Sequence, residues 1–288
     1  MIKLVWRYLF VWVLAPAGVL AAEPQVVASL KPLALIAAEI SDNVHTLLPA
    51  NASHHEFALR TSHMRQLHEA DLVLWVGPGL ESFLVAPLRH KQPSQLLQAE
   101  QLAGLHWPDH HVTAAHDHGR DLHLWLNPHN AVIVAQALAE RLAELSPANA
   151  AVYRQRAQNF AEATMQLDAE LQLQLAPLQR LGFVVYHDAY NHFVHHYGLR
   201  QMDYLALTPD QRPGARHLHQ VNEALQEAVC FFSEPGAQRT SVEVLAKRAR
   251  LLVGELDPLG AQGGVEHYAQ LLKAMAESFS ACLNQGRL

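Results

Sequence analysis

Apolar residues along this chain follow two rhythms. Short, nearly continuous runs alternate with longer stretches in which apolar positions recur every three or four residues. In the first half the continuous runs are Val26–Ser29, Val44–Leu48 and Leu72–Val76, and each is expected to be a strand. Between them, Leu33, Ile36, Ala37 and Ile40 share one helical face, as do Met64, Leu67 and Ala70, and a further helix is expected from Leu80 to about Arg89. An apolar run set between helices suits a parallel strand covered on both faces. Residues 91–120 show no clear period. Leu122–Leu126 then reads as a short strand, and Asn127-Pro128 supplies a cap followed by a proline at the first helical position. Val132, Ala135, Leu138 and Leu142 continue that helix to about Leu145.

The longest helical signal follows. Ser146-Pro147 repeats the cap-then-proline start, and no proline interrupts the segment until Pro177. Tyr153, Ala157, Phe160, Thr164, Leu167 and Leu171 form a single stripe, while Arg154, Arg156, Glu162, Asp168 and Glu170 are read as falling off it. Thirty helical residues would extend roughly 45 Å. The stripe is short for a coiled coil, so a helix joining two lobes is the preferred reading. Strands at Phe183–Tyr186, Met202–Ala206, Val229–Ser233 and Leu251–Glu255 then alternate with helices at Ala189–Tyr197, Ala215–Glu227, Val242–Arg248 and Val265–Leu283. Strand–helix alternation in both halves predicts an α/β protein: two lobes with largely parallel sheets, joined by one long rigid helix. The expected divisions are a leader at 1–22, an N-terminal lobe at 23–145, the connecting helix at 146–177 and a C-terminal lobe at 178–288.

Composition sharpens this picture. Half of the 288 residues are hydrophobic, enough for a sizeable core. The leader, MIKLVWRYLFVWVLAPAGVLAA, has a cationic start, an apolar run and a small-residue end, which is the pattern of a secretory signal peptide cleaved near Ala21 or Ala22. Its apolar run, Tyr8 to Leu20, is short of the roughly 20 residues a membrane span needs, and no cysteine follows it for lipid attachment. An exported chain with no membrane anchor is expected. Removing Lys3 and Arg7 takes the formal charge from −6 to −8, and an acidic chain without a basic run argues against nucleic acid as partner. The only cysteines are Cys230 and Cys282. In an exported chain they most simply form one disulfide, rather than remain as two buried thiols. The bond would stabilise by about 4 kcal/mol through loop closure.

Histidine is the exceptional residue. Seven of twenty lie in the 24 residues from His106 to His129: His106, His110, His111, His116, His118, His123 and His129. Neutral imidazole is the commonest protein metal ligand, so a tract of this kind reads as metal binding before it reads as a solvated polar loop. In open α/β sheets, ligands bind beyond the carboxyl ends of strands. His187 closes the run FVVYH, Asp257 follows LLVGEL, His55 lies after the second strand and His123 sits just before a helix start. Two come from each half, so a cleft between the lobes would hold three imidazoles and one carboxylate, a set that suits tetrahedral zinc. His129 is read as an early residue of the next helix, and His195 and His196 as surface positions.

The segments LLPANASHHEFALRTSHMRQLHEADLVLWVGPGLESFL, HLWLNPHNA, FVVYHDAY, PGARHLHQV, CFFSEP and GELDPLG, taken in order, resemble the periplasmic zinc-binding components of zinc-uptake ABC transporters, the ZnuA type. The resemblance spans essentially the whole mature chain. It implies a monomeric periplasmic protein that binds Zn2+ as cargo and delivers it to a membrane permease. The implied ligands are His55, before Glu56-Phe57; His123, before Leu-Trp-Leu; and His187, in Tyr-His-Asp-Ala-Tyr. Asp257 matches the position of a carboxylate ligand in manganese-type relatives, and is a candidate fourth or nearby group together with Glu56 and His54. His54 stands where relatives usually carry proline. His106, His110, His111, His116 and His118 match in position a His-rich loop, 106–118, that captures extra zinc, and Cys230 and Cys282 match the family's disulfide.

Three neutral imidazoles suit zinc, copper or nickel better than manganese, although a manganese or other transition-metal carrier of the same family is the alternative. Protons compete for imidazole, so affinity should fall as pH drops through the ordinary histidine range, about 6.5. Three histidines and an open position also describe a zinc hydrolase, but the chain has no HExxH segment and no acid obviously placed as general base. An adhesion protein on the same scaffold is disfavoured by an export signal without an anchor. The expectation is a carrier and not an enzyme.

Overall fold

The computed structural model describes residues 23–49, 52, 57–108, 120–208, 213–235, 237 and 239–286. In chain order they form β1 (Val26–Ala28), α1 (Lys31–Ala38), β2 (Val44–Thr46), α2 (Thr61–Glu69), β3 (Leu72–Trp75), α3 (Val85–Leu88), β4 (Leu96–Gln98), α4 (Pro128–Leu145), α5 (Ala150–Leu175), β5 (Gly182–His187), α6 (Asn191–Tyr197), β6 (Arg200–Ala206), α7 (Ala215–Glu227), β7 (Cys230–Ser233), α8 (Arg239–Ala249), β8 (Leu252–Glu255) and α9 (Tyr268–Gly286). None of the described helices is long and apolar enough to cross a membrane.

The strands make two four-stranded sheets, ordered β2-β1-β3-β4 and β6-β5-β7-β8, with every pair parallel. In each sheet the first strand in sequence lies between the second and third. The chain therefore departs to one side and returns to the other, which opens a crevice at the carboxyl ends of β1 and β3, and again at those of β5 and β7. Every residue of β1, β3, β5 and β7 is buried, whereas the edge strands β2 and β8 hold no buried residue. Burial on both faces explains why the central strands read as unbroken apolar runs.

The long helix stands between the two sheets as expected. α5 has 26 residues and is flanked by 3₁₀ turns at Pro147–Asn149 and Ala176–Leu178. It packs on α4 from one lobe and α9 from the other. The predicted stripe from Tyr153 to Leu171 is buried, and Leu175 extends it. Asp168 is buried with it, which corrects its assignment to the solvent side. It lies four residues after Thr164 and three before Leu171, on the same face.

One apolar cluster runs through the whole molecule, from Val27 and Leu74 through Leu138 and Phe160 to Phe183 and Phe279. A smaller cluster, including Val184, Leu225 and Phe231, fills the opposite face of the second sheet. The split between Phe183 and Val184 is the two-residue alternation of a strand. Cys230 on β7 is bonded to Cys282 on α9, fastening that helix to its sheet.

Two further expectations fail for physical reasons. Leu122–Leu126 is not a strand; Leu124–Leu126 forms a 3₁₀ turn with all three side chains buried. Its apolar run is used to enter the joint between the lobes. The Trp125 indole N–H donates to the Pro258 carbonyl at 2.8 Å, and the Tyr268 hydroxyl donates to the Trp125 carbonyl at 2.7 Å. The helix expected from Leu80 begins only at Val85, after a 3₁₀ turn at Ser82–Leu84. A helix started at Leu80 would put Pro87 in its interior, where the missing N–H breaks the ladder; starting at Val85 leaves Pro87 in the first turn. The edge strand β4, only three residues long, falls in the stretch where no period was legible.

Candidate metal centre

His187 is the last residue of β5 and is fully buried. β5 pairs in parallel with β7, Val185 opposite Phe232, so Glu234, the first residue beyond β7, lies at the same crevice. The His187 Nδ1–H donates to Glu234 Oε1 at 3.1 Å. The Tyr190 hydroxyl donates to the same oxygen at 2.7 Å. Burial, then the charge of Glu234, pushes the Tyr190 phenol well above its ordinary value, so it remains a neutral donor.

His123 lies directly before the 3₁₀ turn at Leu124–Leu126, not within a strand. Asp121 Oδ1 accepts two hydrogen bonds from it, one from the backbone N–H at 2.9 Å and one from ring Nδ1 at 2.6 Å. Burial opposes the charge of Asp121. The His123 ring, together with His192 and the His123 N–H, outweighs this and holds the carboxyl well below the usual carboxylate range. The other oxygen, Oδ2, accepts the N–H of Asn191 at 3.0 Å, the first residue of α6, and the Asp121 carbonyl accepts from His192 Nε2 at 2.9 Å. Asp121 thus orients a histidine of one lobe while bonded to the first turn of a helix in the other. The result is a close approach of the two imidazoles: the His123 and His187 rings lie 5.1 Å apart, edge to face at 79°. Trp125 packs against His123 at 5.2 Å.

In a neutral imidazole whose Nδ1–H is given to an acid, Nε2 carries the lone pair. Imidazoles oriented in this way by carboxylates are the usual ligands of zinc and its neighbours. Neither Asp121 nor Glu234 was singled out from the sequence. Glu234 carried the same signal as His187 and Asp257, a polar residue just past an apolar run. Asp121 had only its place two residues before a histidine.

The other sequence-predicted residues are distributed as follows. His54, His55, Glu56, His110, His111, His116 and His118, and the leader at 1–22, lie outside the described residues. Asp257 follows β8, and its two oxygens accept the N–H groups of Leu259 at 3.2 Å and Gln262 at 2.8 Å, so the carboxylate holds its own turn together. His106 is fixed to α4: Asn130 accepts its N–H at 2.7 Å and donates to its carbonyl at 3.0 Å, and its ring stacks on His129 at 5.1 Å. His196 is not a plain surface residue, because its Nε2 lies 2.7 Å from Asp168 Oδ1.

Residues 26–282 match the family described as ZnuA, zinc-uptake complex component A, periplasmic. The chain is similar to the high-affinity zinc uptake system protein ZnuA of Yersinia pestis, at 34% identity covering 91% of this chain and 92% of that one. It is similar also to the protein of that name from Haemophilus ducreyi, at 33% identity covering 92% and 94%. Among solved structures, a crystal structure of ZnuA superposes with a TM-score of 0.77 at 25% identity, over 90% of this chain and 99% of that one. A mutant of the laminin-binding adhesin Lmb from Streptococcus agalactiae shares the fold, with a TM-score of 0.79 at 24% identity over 90% of this chain and 99% of that one. With two parallel α/β lobes about a long helix, and a family match from the first strand to the last helix, this chain belongs to the ZnuA family.

Proposed function

We propose that this chain is the periplasmic zinc carrier of a high-affinity uptake system: it binds Zn2+ between its lobes through His55, His123 and His187 and releases it to the membrane permease of an ABC importer. The observation that carries this reading is the meeting of His123 and His187, one from each lobe, each with Nδ1 held by a buried carboxylate. Family membership and the zinc-uptake names of the relatives support it. The Nε2 atoms are the donors, His55 supplies the third imidazole, and water or a nearby carboxylate (Asp257 or Glu56) completes the set. The His-rich loop at 106–118 captures additional zinc weakly. The leader directs export and is cleaved, and the mature protein works as a monomer that binds and releases zinc without chemistry on a substrate.

The test is a competition titration of metal-stripped protein with zinc, manganese, nickel and copper. Zinc should bind far more tightly than manganese, and His123→Ala should abolish the tight step. Tight manganese binding with little preference for zinc overturns the assignment, and ester or peptide turnover in proportion to zinc content overturns the carrier role.

A further inference from the structure

Away from the cleft pair, His129, Asp168 and His196 converge from three helices. His129 is the second residue of α4, Asp168 lies on the buried face of α5 and His196 on the last turn of α6. His196 Nε2 lies 2.7 Å from Asp168 Oδ1, and His129 Nε2 lies 3.6 Å from Asp168 Oδ2. The two rings approach edge to face, with centroids 5.2 Å apart. One donor atom from each residue falls within 4.8 Å of the other two, and among the described residues only this group does so. We propose that His129, Asp168 and His196 form a second site for a divalent transition metal of the zinc class, separate from the cleft.

The chemistry favours such an ion. Two neutral imidazoles and one carboxylate supply three donors and a single negative charge, the ligand types zinc accepts, with water for the fourth position. Tetrahedral bonds of about 2.0–2.1 Å require donors roughly 3.3 Å apart. With one donor atom from each residue, the three lie within 4.8 Å of one another, so they must draw together by at most about 1.5 Å to reach that spacing. Asp168 shares a largely apolar helix face with Leu167 and Leu171, where a carboxylate must be paired, and the two histidines face it. His129 gives the group its opening, its side chain being 39% exposed against 12% for Asp168 and 11% for His196. On the open side the His106 ring stacks against His129 at an interplanar angle of 15° and holds its plane. The three ligands come from the N-terminal lobe, the connecting helix and the C-terminal lobe, so an ion here would also tie the lobes together.

The full chain, stripped of metal, is titrated with zinc by calorimetry and by equilibrium dialysis with elemental analysis. Asp168→Asn should take up one zinc fewer per chain while the tightest step keeps its affinity. His129→Gln, at a more exposed position, should show the same loss if the Asp168 variant folds poorly. His123→Ala should lose the tightest step and keep this one, which separates failure of the cleft assignment from failure of the second site. Crystals soaked in zinc should show an anomalous peak at the zinc edge between the three side chains. Unchanged stoichiometry in both variants, or no peak at that position beside a filled cleft, overturns the proposal.

Discussion

His123 and His187 each give Nδ1 to a carboxylate that is itself buried and multiply bonded. Such outer partners fix the ring plane and the tautomer, and their loss typically costs 10- to 100-fold in metal affinity. Asp121→Asn and Glu234→Gln should each weaken zinc binding by about that factor, measured by chelator competition, with circular dichroism unchanged. Full wild-type affinity in both variants would show that the carboxylates do not orient imidazoles that hold the metal. A different acid sets a pH dependence of stability. Glu81 is buried beyond β3, where its Oε2 accepts the N–H groups of Val76 at 2.7 Å and Gly77 at 3.2 Å. Burial outweighs these bonds and pushes its carboxyl up from 4.5 to about 7. Between those values the folded chain keeps a proton that the unfolded chain releases. The resulting stability is complete below the lower value and is lost as pH rises to the upper one. The loss is on the order of 3 kcal/mol. Melting temperature should fall across that window in zinc-free protein, and Glu81→Gln should flatten the fall.

At the level of elements, the helix that follows His123 starts from a side-chain cap. Asn127 Oδ1 accepts the His129 N–H at 2.9 Å, and Pro128 follows at the first helical position. Asn127→Ala should cost about 1 kcal/mol, read as a lowered denaturation midpoint, and no change would mean the cap is redundant. This cap was legible in the sequence because it rests on two adjacent residues. The central strands were legible for a similar reason, since burial on both faces writes itself as an unbroken apolar run. Leu124–Leu126 shows the converse: an identical run can fill the joint between lobes, and hydropathy alone does not separate the two uses. Asp168 is charged, yet its spacing from Thr164 and Leu171 puts it on the buried face. Its partner His196 is distant in sequence, and only the packing of α6 on α5 brings them together. Gly198 ends α6 two residues later. At φ +65° it permits the reversal in which its own N–H and that of Leu199 bond back to His195 and Val194.

At the scale of the molecule, the lobes are joined by more than one connecting helix. Trp125 is held at both its indole and its carbonyl by residues of the other lobe, Lys31 on α1 donates to the Gly260 carbonyl, and Asp121 spans the crevice. Above all, a single cluster of buried side chains passes from the first sheet to the second without interruption. Two lobes with separate cores would unfold in separate steps. Here the helices that cover the inner face of one sheet pack on those that cover the other, so the division into lobes should be one of shape and not of cooperativity. Calorimetry of the zinc-free chain should show one endotherm whose calorimetric and van't Hoff enthalpies agree, and zinc should move that single peak upward as a whole.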